Sequence, residues 1–388
     1  MSRIFIKNGK IMTMAGYIHE GGSILLKAGK IQAVGNIRIE ESKDDLIILD
    51  AKGGWVMPGL MEAHCHMGIT EEKKGTEGDD CNENVEPITP YLRGIDAINP
   101  MDAAFEDAVR AGITAAMIGP GSANVVGGQF AVVKTKGRKM DDLIVKAPAA
   151  MKVAFGENPK VNYSGQKKMP VTRMAIAGML RRELFAAKQY AKKKKHAGSD
   201  FEEDFHYESW LPVLNKEIPI KAHVHRVDDI FTAIRIAKEF DVKMTLDHCS
   251  EGHLIAKEVA ESKMPAIVGP DFTSRNKIEV QNMAFKTAGV LQKAGVLVAI
   301  TTDHPVSIIN SLPLCAGMAV KAGLPMMEGL KAITINPARI CGVDDRLGSL
   351  EEGKDADVVI FSGNPMEIFT QVYCTIIDGV IVYRKEGF

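Results

Sequence analysis

A short apolar run, Val56-Met-Pro-Gly-Leu-Met-Glu-Ala-His64-Cys-His66-Met67, ends in two histidines one residue apart. In an extended strand alternate side chains share a face, so His64 and His66 can aim two imidazoles at one point while Cys65 turns the other way. Three further segments, Lys221-Ala-His223-Val-His225, Met244-Thr-Leu-Asp-His248 and Ile300-Thr-Thr-Asp303-His304, also place His or Asp at the end of a strand-like apolar run. Of the ten histidines, six (64, 66, 223, 225, 248 and 304) gather at such ends, where surface or core histidines have no reason to concentrate. Neutral imidazoles plus carboxylates are the ligand set of a catalytic divalent metal of the zinc type, with one or two ions per chain.

Eight candidate strands carry these ends: Leu60 to His66, Thr114 to Ile118, Phe130 to Thr135, Lys152 to Phe155, Ile220 to Val224, Met244 to Asp247, Ala266 to Val268 and Val296 to Thr301. Helical periods lie between many of them, at Asp102 to Ala111, Thr172 to Lys195, Asp228 to Phe240 and Ile278 to Ala294. Alternating β and α elements predict a parallel sheet, and eight of them predict closure into a (β/α)8 TIM barrel of the α/β class, whose chemistry sits at the carboxyl ends of its strands. A second apolar run, Leu143 to Val145, competes for the third strand. Short β runs broken by glycine turns fill residues 3–56 and return after residue 348. Neither end is long enough for a generous core of its own. The predicted layout is one small β-sandwich domain from 1–56 and 348–388, with a metal-dependent barrel domain at 57–347 between its halves.

Strand-end residues in this order resemble the amidohydrolase superfamily, and its imidazolonepropionase-related group in particular. The resemblance implies H-x-H after the first barrel strand, a Glu or carboxylated Lys in mid-barrel, histidines after the fifth and sixth strands and an Asp after the eighth. Gly348-Ser-Leu-Glu-Glu-Gly-Lys-Asp-Ala-Asp-Val-Val also looks like the carboxyl-terminal signature of that family. On this basis the metal ligands are His64, His66, Glu157, His223, His248 and Asp303. Glu157 is preferred to Lys152 because it follows the fourth strand, whereas Lys152 opens the segment as delimited here. A bridging Glu157 would join a metal on His64 and His66 to one on His223 and His248. Without it a single metal on His64, His66, His223 and Asp303 remains. Asp303 is the expected general base, taking a proton from water and delivering it to a leaving nitrogen.

Substrate contacts are expected from His225, Arg226, Asn124, Arg173 and His304, the arginines because a guanidinium can fork onto a carboxylate. Met67-Gly-Ile-Thr-Glu-Glu follows the H-x-H where imidazolonepropionases carry an arginine-containing segment. Arg226 stands three residues after His223, where mononuclear deaminases carry a glutamate. Both departures turn the expectation from deamination to hydrolysis of a C–N bond in an amide, cyclic amide or N-acyl compound, with a small and carboxylate-bearing substrate. An Xaa-Pro-type dipeptidase is the alternative enzyme, and a catalytically inactive dihydropyrimidinase-like scaffold the alternative of another class.

A formal net charge of -1 over 388 residues offers no global field toward nucleic acid or an anionic membrane. The basic run Lys192 to Lys195 suits the carboxyl end of a helix. The polar stretch Glu71 to Glu86, which includes Lys73 and Lys74, is expected to overhang the site as a lid or subunit contact. Six cysteines without C-x-x-C pairing read as free thiols. With no signal-like amino terminus, a cytoplasmic homo-oligomer is the expected form.

Overall fold

The computed structural model describes residues 3–37, 39, 46–72, 75–197 and 201–388; Lys73 and Lys74 lie outside them. Strands β1 (Arg3–Met12), β2 (Ile18–Lys27), β3 (Lys30–Gly35), β4 (Leu46–Asp50) and β5 (Trp55–Pro58) form the first part of one sheet. The barrel strands follow: β6 (Leu60–Cys65), β7 (Ile113–Ile118), β8 (Val126–Lys134), β9 (Ile144–Ala154), β10 (Ile220–Val224), β11 (Met244–His248), β12 (Ala266–Val268) and β13 (Val298–Ile300). Strands β14 (Val358–Phe361), β15 (Val372–Ile377) and β16 (Val380–Arg384) then return to the first sheet, where β14 pairs antiparallel with β5. That sheet branches at β1, which pairs with β2, β4 and β5, and it closes over a core that includes Ile4, Ile6, Ile24, Val358 and Ile376.

The barrel order runs from β6 to β13 without interruption. Most of its strands are buried on both faces, which is why they read as continuous apolar runs and not as alternating ones. One strand departs from the all-parallel pattern: β8 is antiparallel to both β7 and β9. The connections on either side of it are too short for a helical crossover, so they turn the chain back. The competing run at Leu143 to Val145 leads into β9, which is therefore longer than expected and begins at Ile144. Lys152 accordingly sits two residues from the carboxyl end of β9, not at its start.

Helix Arg173–His196 starts under a Thr172 cap whose hydroxyl accepts from Ala175 N–H at 3.0 Å, and it ends in the Lys193 to His196 run. Helix Val227–Phe240 has an apolar stripe against the barrel. The expected helix over 278–294 is split. Residues Ile278–Val280 form a single tight turn with Glu279 buried, and the helix proper is Lys286–Lys293. A polar residue drawn inward has overridden the apolar period there.

The two sheets are joined by a buried cation. Lys134, at the end of β8, places Nζ 2.8 Å from Asp357 Oδ1, 3.0 Å from Asp378 Oδ1 and 3.1 Å from Asp355 Oδ2. Asp355 and Asp357 are themselves buried; Asp355 also pairs with Lys30 at 2.7 Å and Arg346 at 2.8 Å, so removing the ammonium leaves chiefly Asp357 without a cation. Lys134→Met is expected to lower the unfolding free energy by about 3–5 kcal/mol, read as a shift in the urea midpoint. An unchanged midpoint would show that the cluster contributes no net stability.

Candidate metal centre

The carboxyl ends of β6, β9, β10, β11 and β13 converge on one buried pocket. Ligand atoms of His64, His248 and Asp303 lie within 4.8 Å of one another, and so do those of His223, His225 and His248. His66 Nε2 is 3.3 Å from Asp303 Oδ1. All of these side chains are buried. The strand-end histidines and Asp303 are thus brought together, with His248 shared between two clusters.

Four of the five imidazoles are held from behind. His64 Nδ1 meets Asp247 Oδ2 at 2.9 Å, His66 Nδ1 donates to Gly119 O at 2.7 Å, His248 Nδ1 donates to Gly269 O at 2.8 Å, and His225 Nδ1 meets Ser250 Oγ at 2.8 Å. Fixing one ring nitrogen turns the other toward the pocket and sets the tautomer that a metal needs. Burial, with Lys152 and Lys221 nearby, holds the pKa of His64 well below its usual value, and burial does the same for His223 and His225. These rings are neutral at pH 7 and available as ligands. His66 differs: burial lowers its pKa, but Cys81 and Asp303 alongside outweigh this and raise it to about 10, so His66 must release a proton before it can serve as a ligand.

The backbone is strained at two ligands. His248 has φ 69° and Asp303 φ 51°, left-handed conformations that side chains other than glycine adopt at a cost of about 1–3 kcal/mol. Asp303 is held there by its N–H on Thr301 Oγ1 at 2.9 Å, and Thr301 Oγ1 in turn donates to His64 O at 2.6 Å.

Lys152, not Glu157, occupies the middle of the site. Its Nζ lies 3.2 Å from His64 Nε2, the side chain is fully buried, and burial lowers its pKa to about 8. Glu157 belongs to neither cluster and does not line the cavity. It begins the helix Glu157–Gly165 instead, and its N–H donates to Glu279 Oε2 at 2.8 Å. The physical reason is register: β9 starts early enough for Lys152 to face the barrel axis near its top.

The remaining substrate expectations are also corrected, except for His225. Arg173 donates through Nε to both carboxylate oxygens of Asp229 at 3.0 Å, and Arg226 pairs with Asp228 on the same helix. Asn124 donates to Glu83 O and Glu86 O and so ties down a loop. His304 Nδ1 accepts from Ile309 N–H at 3.2 Å, and the ring faces Glu72 at 3.7 Å. None of the four lines the cavity beside the histidines. That cavity, of about 380 Å³, includes His66, Cys81, His223, His225, Lys277 and Asp303. The stretch after β6 does overhang it, with Asp79, Cys81 and Asn82 in its wall. Cys81, Lys277 and Glu279 carry no motif in the sequence that would have marked them; Asp247 was visible in the Asp-His pair that ends β11.

A buried H-x-H pair, strand-end histidines, a central lysine and an aspartate on a near-closed eight-stranded barrel define a metal-dependent hydrolase. The chain belongs to the amidohydrolase family, whose sequence model matches residues 55–382, and it is accordingly a hydrolase acting on C–N bonds of small molecules. It is similar to the crystal structure of an amidohydrolase from Thermotoga maritima, with 41% identity, a TM-score of 0.94, and 98% of this chain and 100% of that one covered. It is 28% identical over 395 residues to the amidohydrolase tasK of Hapsidospora irregularis, covering 92% of this chain but only 39% of that protein's length. It is 25% identical over 409 residues to a dihydroorotase of Elusimicrobium minutum, covering 95% and 90%. Members of this family generally use divalent metals, and no helix among the described residues is long and apolar enough to cross a membrane.

The residues fit such an ion. His223 Nε2 and Asp303 Oδ1 are buried and have no hydrogen-bond partner. A protonated Lys152 would repel a cation, whereas the neutral amine present above about pH 8, or its carbamate, would not. Lys152→Met is therefore expected to lose metal on elemental analysis while Glu157→Gln keeps it; the reverse result would restore Glu157 as the central ligand. Incorporation of labelled carbon dioxide into the wild-type protein, absent from Lys152→Met, should rise as pH is raised through about 8, because only the deprotonated amine reacts.

Proposed function

We propose that the chain is a binuclear, zinc-type amidohydrolase in which Lys152, carboxylated, stands between a metal held by His64, His66 and Asp303 and one held by His223 and His248. The observation that carries this reading is the position of Lys152, buried 3.2 Å from His64 Nε2 and close enough to His223 and His248 to add to the effect of burial in lowering their pKa values. When bound, a divalent metal of this type makes water more acidic and offsets negative charge on a carbonyl oxygen. Asp303 accepts the proton of the attacking water and passes it to the leaving nitrogen as the C–N bond breaks, giving an acid and an amine. Neighbouring His248 and His66 hold the Asp303 carboxyl well below the usual range against the effect of burial, so it is ionised in the resting site; a carboxylate held that low is a weak base, and its role as proton acceptor rests on its position among the ligand histidines.

Lys277 supports a substrate with a carboxylate. Among the cavity-lining residues it is the one Lys or Arg side chain, and its Nζ donates to Asn158 Oδ1 at 2.6 Å. Three N–H donors on an ammonium leave capacity for a further acceptor. N-acyl amino acids, cyclic amides and dipeptides are the substrate classes that combine a scissile C–N bond with such a group. An Xaa-Pro-type dipeptidase is favoured as the second reading by the same Lys152, because that alternative requires a lysine at this rim. An inactive scaffold is disfavoured, since every strand-end ligand is present. The place beside imidazolonepropionases rests on the strand-end pattern, and a zinc-loaded homo-oligomer is part of the same proposal.

Hydrolysis of N-acyl amino acids, cyclic imides and dipeptides by zinc-loaded protein, measured as released amine or ring opening, tests the reading; no turnover across the panel would sink it. Asp303→Asn is expected to lower kcat by about 10²–10⁴-fold. Lys277→Met is expected to raise KM about tenfold or more for a carboxylate-bearing substrate and to leave that for its carboxamide analogue unchanged.

A further inference from the structure

Glu279 has no part in the site as described so far, although it is one of the most buried carboxylates in the chain. Its Oε1 stands 3.9 Å from His223 Nε2 and 3.9 Å from His225 Nε2. That is too long for a hydrogen bond. It is the separation of two donors sharing one ion, which with bonds of about 2.0–2.2 Å and open angles lie about 3.3–4 Å apart. His248 adds a third imidazole, its ligand atom within 4.8 Å of those of His223 and His225; Glu279 stands outside that histidine group and approaches it from the His223 and His225 side.

The second polar atom of three of these donors is occupied on the far side. His225 Nδ1 is on Ser250 Oγ, His248 Nδ1 on Gly269 O, and Glu279 Oε2 accepts from Glu157 N–H. His223 Nε2 is buried and unpartnered. The backbone makes room for the carboxylate. Gly156 has φ 85°, and a Cβ there would lie 2.7 Å from Glu279 Oε2, so a larger residue would push the carboxylate away. The tight turn Ile278–Val280, which interrupts the expected helix, is what carries Glu279 inward. Lys277 Nζ is 3.5 Å from Glu279 Oε1 and 2.6 Å from Asn158 Oδ1, and its side chain is 33% exposed. It can keep the shorter contact when a cation takes Oε1.

We propose that His225 and Glu279 join His223 and His248 as ligands of one divalent cation of the zinc type, a set of three imidazoles and one carboxylate. The proposal rests on the binuclear reading for His223 and His248 and extends it by two ligands. These four donors, with the carboxylated Lys152 shared between the two positions, would close this one, as in sites where the metal is retained and not exposed to substrate. Water and substrate are then left to the His64, His66 and Asp303 side, and His225 is a ligand and not a substrate contact.

The test uses full-length wild-type protein, Glu279→Gln and His225→Asn, stripped with a chelator and reloaded with zinc or cobalt. Metal equivalents come from elemental analysis, affinities from chelator competition, and cobalt visible absorption reports coordination at each site. The wild type should take two equivalents. Each variant should bind the second about tenfold or more weakly and lose its cobalt band, with the first equivalent unchanged. Two equivalents of wild-type affinity in both variants would overturn this proposal and leave the binuclear reading standing. A wild type that takes up one equivalent or none overturns both. Melting of the metal-free forms separates weakened binding from misfolding, and since the two substitutions lie on different elements, one unstable variant does not remove the test.

Discussion

The site depends on a carboxylate that never meets the reaction. Glu62, fully buried on β6, accepts from His64 N–H at 3.1 Å and from the N–H and hydroxyl of Thr302 at 2.8 and 2.7 Å. Strands β6 and β13 share no ladder, so this is where the barrel would otherwise stand open. Burial raises the pKa of the Glu62 carboxyl, and hydrogen bonds from Thr301 and Thr302 offset this only in part. His66 N–H on His304 O and Thr301 Oγ1 on His64 O add two more stitches along the same seam. Because the H-x-H pair lies on one side of the seam and Asp303 on the other, closing it and assembling that cluster are one event.

A second buried acid works in the same way at the next layer. Asp247 accepts from His64 and lies 3.1 Å from Lys221 Nζ; burial would raise its pKa, but Lys221 and Lys152 more than offset this and keep it ionised. The arrangement places anions behind the imidazoles and keeps the imidazoles themselves neutral. It also accounts for a lysine in the barrel interior: buried charges are tolerated when paired, and the Lys221 ammonium is spent on Asp247 and on Ala63 O.

The strand-end histidines and Asp303 were legible because a parallel strand buried on both faces reads as an apolar run, and a polar residue at its end stands out against it. Glu157 and Lys152 show where that legibility stops. They differ by five positions at the end of one strand, and choosing between them requires the register of β9, which depends on where its competing apolar segment begins. The arginines were misleading because an arginine near a strand end finds carboxylates on its own helix or the next more readily than it finds a ligand. Arg226 with Asp228, and Arg173 with Asp229, are such pairs. Cys81, Lys277 and Glu279 come from loops after β6 and β12, where no period marks the side that faces inward.

The sheet built from both ends of the chain bears on how the molecule is made. During synthesis β5 emerges before the barrel, yet its antiparallel partner β14 follows only after the whole barrel has left the ribosome. Until then the edge of β5 and the apolar face formed by Ile4, Ile6 and Ile24 have no cover, and such edges invite pairing with another chain. The barrel, whose strands pair in sequence order, can form during that wait, and Lys134 would then hold an unpaired charge until Asp355, Asp357 and Asp378 arrive to meet it. The strands that follow the barrel are therefore the ones that seal the sheet begun before it.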